Sequence, residues 1–464
     1  MRRRAATIIG LLIFVAAVQS MPAAALAQRP AEPPRATLEG RAVLPADTFA
    51  PGPPSGFGLG EDQPKGGREP PFEGQPVGGF SAVLDAGGGE YLAMTDNGFG
   101  SKGNSADFLL RIYRIRPDFE TAGGGGGKIG VEDFMQLRDP DRWVPFEITN
   151  EESEERLLTG ADFDIESVRQ DGRGDLWFGD EFGPFLLHAD AAGRVLEAPI
   201  PLPGVKSPED PTLETEEEPN LPASSGFEGM AISEDGNTLY PMLEGALKDD
   251  PDQSQRVIYE FDLGSKRYTG ERRYYHAEAP EHAIGDLTAL DAERFVAIER
   301  DGQEGEAARF KKAYLIDLGH TDAEGYLVKQ EVLDLLSIRD PDLISEPAQE
   351  GDVGLGDPFA FPFWTIEGIL PLGDGRLLLL NDNNYPLGTG RNPEQPDDTE
   401  AIIVHAAALQ GDLAARALWA GLVLLGTLIL GVAIWRGLLR LRPLRYSGGE
   451  SAGRARPRRP LGGG

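Results

Sequence analysis

One two-part pattern recurs five times along this chain, and it constrains the fold more than anything else in the sequence. Each copy opens with an acidic or polar residue beside an apolar one. A turn and an apolar strand follow, and a second polar cluster closes the copy about fifteen residues on. The closest copies are Ile165-Glu166 … Asp171-Gly172 … Asp180-Glu181, Phe227-Glu228-Gly229 … Asp235-Gly236 … Leu243-Glu244 and Ile366-Glu367-Gly368 … Asp374-Gly375 … Asn381-Asp382-Asn383. Phe80-Ser81 … Thr95-Asp96-Asn97 and Asp286 … Ile298-Glu299 are looser ones. Strand units repeated in this way predict an all-β chain, a β-propeller of four-stranded blades. In such a fold the first strand of every blade lines one channel, so acids at those strand starts converge.

Apolar stretches after each pair supply the outer strands. Leu109–Ile115, Phe185–His188, Val257–Asp262, Ala313–Leu318 and Ile402–His405 are third-strand candidates; Ile129–Phe134, Arg194–Pro199, Arg267–Tyr275 and Tyr326–Leu333 are fourth-strand candidates. The fifth unit lacks a fourth strand, and Ala36–Leu44 is the candidate that closes the ring so that no blade edge stays unpaired. Unit starts lie about 60–85 residues apart, wider than the ~40–50 of familiar propeller repeats. Five units are visible and five to seven blades are compatible with that spacing. Asn150–Leu158, Glu-rich behind an Asn cap, predicts a short helix. Residues 45–79, dense in Gly and Pro, predict a long covering loop.

The ends predict location. Residues 1–27 run from Arg2-Arg3-Arg4 through an apolar stretch to Ala25-Leu26-Ala27, the order of a secretory signal peptide, with a Pro-rich lead at 28–35. Residues 417–435 are nineteen residues without a charge, and at 1.5 Å per residue they span roughly 28 Å, close to a bilayer core. Trp419 and Trp435 flank the run and an Arg-rich tail fills 436–464, so a single-pass membrane anchor with the 36–410 domain outside and the C-terminus cytoplasmic is expected. The net charge of −32 becomes −42 for residues 28–435 once the three signal arginines and the +7 tail are set aside. Such a surface repels nucleic acid, which is excluded as a partner, and favours cations. With no Cys and five His, thiolate metal sites and disulfides are excluded.

Glu166, Glu228 and Glu367 each follow an apolar residue at a strand start, and Asp286 takes the same point of the fourth unit. Anions brought together need a cation or raised pKa values. Oxygen ligands of this kind select Ca²⁺, with Mg²⁺ or Mn²⁺ as alternatives. The second tier holds Asp96-Asn97, Asp180-Glu181, Glu299-Arg300-Asp301 and Asp382-Asn383, near which Lys102 and Arg300 are among the few cations. No Gly-x-Ser-x-Gly or His-Glu-x-x-His motif is present, which leaves a metal-activated water as the hydrolytic route.

The segments TDNGFGSKGNSADFLLRIYRIRPDF (95–119), LTGADFDIESVRQDGRGDLWFGDEFGP (158–184), GFEGMAIS (226–233), ERDG (299–302) and FWTIEGILPL (363–372) resemble the phytase-like esterase family, described by an "esterase-like activity of phytase" domain. The resemblance covers about 36–410 and implies a secreted or surface β-propeller that hydrolyses a phosphate mono- or diester, with Asp96, Glu166, Asp180, Glu181, Glu228, Glu299, Asp301 and Glu367 as the acids carried over. The chain is also similar, in its Glu and Asn around a channel, to calcium-dependent lactonase propellers. The expected roles are metal binding by Glu166, Glu228, Glu367 and Asp286, catalysis by Asp180, Glu181 and Arg300, and substrate binding by Asp96, Asn97, Lys102, Glu299, Asp301, Asp382 and Asn383. A carboxyl-esterase or lactonase on the same metal, and a noncatalytic binding or adhesion propeller, are the rival expectations. The substrate in the first two cases is a small-molecule ester.

Overall fold

Alternating or wholly buried apolar strands, cut by Gly- and Asp-rich turns, dictate the architecture. The computed structural model describes residues 35–60 and 67–410. The described residues open with β1 (Thr37–Leu44), then a two-stranded ribbon of β2 (Phe49–Ala50) and β3 (Gln75–Pro76). The first blade is β4 (Ala82–Gly87), β5 (Glu90–Met94), β6 (Arg111–Asp118) and β7 (Lys128–Gln136). The second is β8 (Ile165–Gln170), β9 (Leu176–Asp180), β10 (Phe185–Ala189) and β11 (Ile200–Pro201). The third is β12 (Phe227–Ile232), β13 (Thr238–Leu243), β14 (Gln255–Asp262) and β15 (Arg267–His276). The fourth is β16 (Ala283–Ala289), β17 (Arg294–Arg300), β18 (Lys311–Thr321) and β19 (Leu327–Asp334). The fifth is β20 (Thr365–Gly373), β21 (Arg376–Asp382) and β22 (Thr399–His405), completed by β1.

Each first strand packs against the first strands of its neighbours, in the closed circuit β4, β8, β12, β16, β20 and back to β4. Five blades around one axis are therefore present among the described residues. The wide repeat spacing comes from long connections, residues 137–164, 202–226 and 335–364 among them, and not from a sixth blade. Between every two adjacent blades lies an apolar core. Phe178 with Met94, Trp177 with Phe227, Met242 with Phe295, Ile298 with Ile366 and Leu380 with Tyr113 mark the five. At about 25 cal/mol per Å² of apolar surface removed from water, these layers are the main stabilising term.

The expected closure holds. β1 pairs antiparallel with β22, Thr37 opposite His405 and Leu44 opposite Thr399. Arg41 of β1 binds Glu400 of β22 through two nitrogens at 2.9 and 2.7 Å, and Arg391 binds the same carboxylate at 2.8 and 3.0 Å. These two guanidiniums offset the burial cost and hold Glu400 down to about 2.

Two local expectations change. Asn150–Leu158 forms turns rather than a helix. Its Asn150 amide bonds the Leu157 carbonyl at 2.8 Å, and buried Arg156, at φ 46°, reaches back to Asp139. Tertiary contacts thus outweigh a short helix whose nucleation is unfavourable. The fourth strand of the second blade is interrupted: Val195 bridges Ala189, and regular pairing resumes only at Ile200–Pro201. The expected signal peptide and the expected membrane helix at 417–435 lie outside the described residues. Among the described residues, no helix is long and apolar enough to cross a membrane.

Glu400→Gln should lower unfolding free energy by about 3–5 kcal/mol, because it leaves Arg391 buried without its counter-charge. Urea denaturation at pH 7 measures this. With a depressed carboxyl pKa, the wild-type advantage is fully present above the ordinary carboxylate range and disappears as pH falls towards 2.

Candidate active site: an acid-lined channel mouth

The site arises from a backbone irregularity repeated at the start of the inner strands. In the second, third and fifth blades the ladder skips one residue, between Ile165 and Ser167, Phe227 and Gly229, and Ile366 and Gly368. The skipped residues are Glu166, Glu228 and Glu367. A bulge re-aims its extra side chain, and here it aims three glutamates at one point. One carboxylate oxygen from each lies within 4.8 Å of the other two. Glu166 also belongs to a second group of the same kind, with Asp96 and Asp164.

The fourth blade has the same bulge, between Ile284 and Asp286, but its skipped residue is Gly285. A Cβ there would lie 2.1 Å from the Ile366 carbonyl oxygen, so no larger residue fits. Asp286 stands one position later and, by strand alternation, on another face. Its oxygens accept from Arg169 Nη2 at 2.8 Å, Leu287 N at 2.7 Å and Ile369 N at 3.2 Å. Asp286 is therefore not brought into the glutamate group; it is part of a buried ion pair.

The ends of the second strands form the next tier. Matching the ladders blade by blade puts Asp96, Glu181, Glu244, Arg300 and Asp382 at equivalent positions. Four blades present an acid there and the fourth blade presents a guanidinium. Arg300 Nη2 lies 3.2 Å from Glu244, 3.3 Å from Glu367 and 3.6 Å from Glu228. Gly226 allows the approach of β12 to the second blade, since a Cβ there would meet the Glu181 Cα at 2.5 Å.

Expected site residues one position before or after this tier have other partners. Asp180 accepts from the backbone N–H of Asp164 at 2.9 Å and of Gly183 at 2.7 Å, so it shapes loops, whereas Glu181 belongs to the acidic group. Glu299 accepts from the Tyr275 hydroxyl at 2.6 Å and from Lys329 at 3.0 Å, and lies 2.7 Å from His282 Nδ1. Asp301 binds Lys311 at 3.0 Å and the N–H of Arg309 at 2.7 Å. Neither is brought to the channel mouth. Asn97 accepts from Gly100 N at 2.8 Å and orders its loop beside Asp164. Lys102 donates to the Glu209 carbonyl at 3.3 Å over the Phe182 ring. Asn383 accepts from Tyr385 N at 3.1 Å, while its Nδ2 is buried without a hydrogen-bond partner.

Eight carboxyl groups thus share the mouth: Asp96, Asp164, Glu166, Glu181, Glu228, Glu244, Glu367 and Asp382. Arg300 is the cation paired with three of them. At an effective dielectric near 20, two carboxylates 4.8 Å apart repel by roughly 3–4 kcal/mol. A few such pairs match a domain's whole stability of about 5–15 kcal/mol. Full ionisation without a further cation is therefore untenable. Burial first, then neighbouring acids, push Asp96, Glu166, Glu181 and Glu228 well above the ordinary range. Burial likewise raises Glu367 to about 8 and Asp382 to about 6, each against the pull of Arg300. Asp164 Oδ1, Glu181 Oε1 and Glu228 Oε1 are buried with no hydrogen-bond partner, as is Arg300 Nε. Orphaned carboxylate oxygens fit a divalent ion with hard oxygen ligands, and Glu166, Glu228 and Glu367 would be its nearest holders.

Asp164 and Glu244 were not among the expected site residues. Asp164 precedes the β8 motif in Asp162-Phe163-Asp164, a stretch that reads as loop. Glu244 was visible as the end of the third repeat, and its register with Glu181 was the signal that would have found it.

The fold and the site together define the chain as a β-propeller whose channel mouth gathers buried acids. The sequence profile described as "Esterase-like activity of phytase" matches residues 75–385, and the chain belongs to this phytase-like family. An "Uncharacterized secreted protein" of Arthroderma benhamiae is 25% identical over 186 residues, covering 32% of this chain and 36% of the relative. The chain thus spans little more than a third of that relative's length. Among solved structures, a β-1,3-galactosidase aligns at 8% identity and TM-score 0.36, covering 71% of this chain and 57% of its own. An endo-arabinase from Bacteroides thetaiotaomicron aligns at 12% identity and TM-score 0.34, covering 68% and 92%.

In the presence of a chelator, stability should fall as pH rises from about 5 to 8.5. Folded-state pKa values above the unfolded ones mean that the folded chain holds protons the unfolded chain has released, so the linkage favours low pH. Glu367→Gln should flatten this fall and raise Tm at pH 8, as thermal denaturation in EDTA would record.

Proposed function

We propose that the protein is an extracellular, divalent-cation-dependent ester hydrolase, with Ca²⁺ as the expected ion and a phosphate ester as the first substrate class. The extracellular location rests on the sequence reading of residues 1–27 and on the secreted relative. The observation that carries the chemistry is that Asp164 Oδ1, Glu181 Oε1 and Glu228 Oε1, and with them Arg300 Nε, are buried without a hydrogen-bond partner. Acceptors without donors and a donor without an acceptor, in one buried group, fit a cation and an oxyanion better than they fit a purely structural role.

A bound divalent ion would supply a polarising charge for the ester oxygen and lower the pKa of a water. Glu166, Glu228 and Glu367 would hold it, with Asp96 and Asp164 beside Glu166 for a further ion. Glu181, lacking a donor to its Oε1, would accept the proton of the attacking water. Arg300 would offer Nε to the oxygen on which charge develops, a contact typically worth about 10²–10³ in kcat.

The scarcity of positive charge favours a second reading. Eight acids against one guanidinium repel a phosphate dianion more than a neutral ester, so a carboxyl ester or lactone is the alternative substrate for the same machinery. A noncatalytic, metal-stabilised propeller is the outcome if no ester is turned over.

Purified protein assayed on aryl phosphate monoesters, diesters, aryl acetates and lactones, with Ca²⁺ or with EDTA, separates these. Calcium-dependent turnover of phosphates is expected, and Glu228→Gln and Glu181→Gln should each reduce it by about 10²-fold or more. Of the two, Glu228→Gln should also weaken Ca²⁺ binding. Turnover of acetates or lactones alone would select the second reading. Unchanged Ca²⁺ affinity and turnover in Glu228→Gln would remove this site from the chemistry.

A further inference from the structure

The second blade holds another set of convergent ligands at the opposite end of β8 from Glu166. The turn Asp171–Asp175 joins β8 to β9, and His188 of β10 lies beside Trp177 of β9 in the ladder. One ligand atom each from Asp171, Asp175 and His188 lies within 4.8 Å of the other two. We propose that these three residues form a second divalent-metal site, for a transition metal of the zinc kind, separate from the channel mouth.

The proton inventory of His188 is the first support. Its Nδ1 lies 2.6 Å from Glu197 Oε1, and a carboxylate only accepts, so Nδ1 carries the proton. Lys266 sits 2.5 Å from that same Glu197 oxygen. In the neutral ring the lone pair is then on Nε2, pointing towards the acids. A carboxylate behind the imidazole is the usual orienting partner of a metal-bound histidine.

The second support is that Nε2 is left without any partner. His188 is 4% exposed, and Nε2 is buried with no hydrogen-bond partner. The nearest acid oxygen, Asp175 Oδ2, is 3.7 Å away, too far for a hydrogen bond. Two ligands bound to zinc at about 2.0–2.1 Å in tetrahedral geometry would stand roughly 3.4 Å apart. The observed gap is thus near what an intervening ion spans. The imidazole also stacks on Trp177, with centroids 4.0 Å apart and planes at 12°, which fixes the direction of Nε2.

The donor set matches the ion type. Asp171 Oδ1 is engaged by the N–H of Arg173 and Asp175, while its Oδ2 meets only Trp177 Nε1, at 3.4 Å. One imidazole nitrogen and two carboxylates suit zinc better than Ca²⁺, which prefers oxygen throughout. Two negative ligands would balance the ion's charge, and the half-exposed turn gives it a path from solvent.

The full-length protein, stripped with EDTA and then saturated with Ca²⁺ to fill the channel acids, is titrated with Zn²⁺ by calorimetry. One Zn²⁺ equivalent should bind, and it should persist in Glu228→Gln. His188→Gln should weaken it at least a hundredfold, and Glu197→Gln about tenfold through the lost orientation of the ring. In wild type, the imidazole NMR signals of a single histidine should shift on Zn²⁺ addition. Asp175→Asn, on the partly exposed turn, is the second variant should His188→Gln fail to fold, with a loss of tenfold or more expected. Unchanged Zn²⁺ affinity in a folded His188→Gln or Asp175→Asn protein, or Zn²⁺ uptake that disappears only with Glu228, would overturn the assignment.

Discussion

Repulsion among buried carboxylates is the constraint around which the channel mouth is organised. Glu166, Glu228 and Glu367 are pushed together by backbone bulges on three separate inner strands, and no local rearrangement of one strand relieves them. Five apolar layers between blades hold the strands in place against that repulsion. The scaffold thus keeps a destabilising arrangement that stability alone would not select, as sites of chemistry commonly do.

Arg300 gives this arrangement its polarity. It occupies the position at which the other four blades end their second strands with acids, so the ring has one positive side. Gly285, in the same blade, is where the glutamate of the bulge is missing. The fourth blade therefore contributes charge of the opposite sign at one level and no carboxylate at the other. A ligand with an anionic end has a preferred orientation in such a mouth, set by a single blade.

Much of this is readable in the amino-acid sequence. The repeat period marked the blades, the missing fourth strand marked Ala36–Leu44 as the closing element, and equal placement of Glu166, Glu228 and Glu367 predicted that they meet. What the period could not resolve was a shift of one residue. Asp286 looks equivalent to the glutamates until the bulge at Gly285 is counted, and Asp180 and Glu299 sit one step from Glu181 and Arg300 on alternating strands. A single step in a strand exchanges faces, so correct spacing at a resolution of one residue still assigns the wrong side chain. Asp164 was hidden for a different reason: it sits outside the repeat, in a connection whose path only tertiary packing defines.

The pairing of Thr37 with His405 has a consequence for how the molecule comes together. β1 meets Glu120 and Gly127 early, but its long antiparallel ladder forms only with β22, so one blade stays incomplete until synthesis has passed residue 405. Contacts between such remote stretches are slow to form. Until then the flank of β22 is a bare strand edge able to pair with another copy of the chain. The seam that locks the circle is also its most exposed moment during biogenesis.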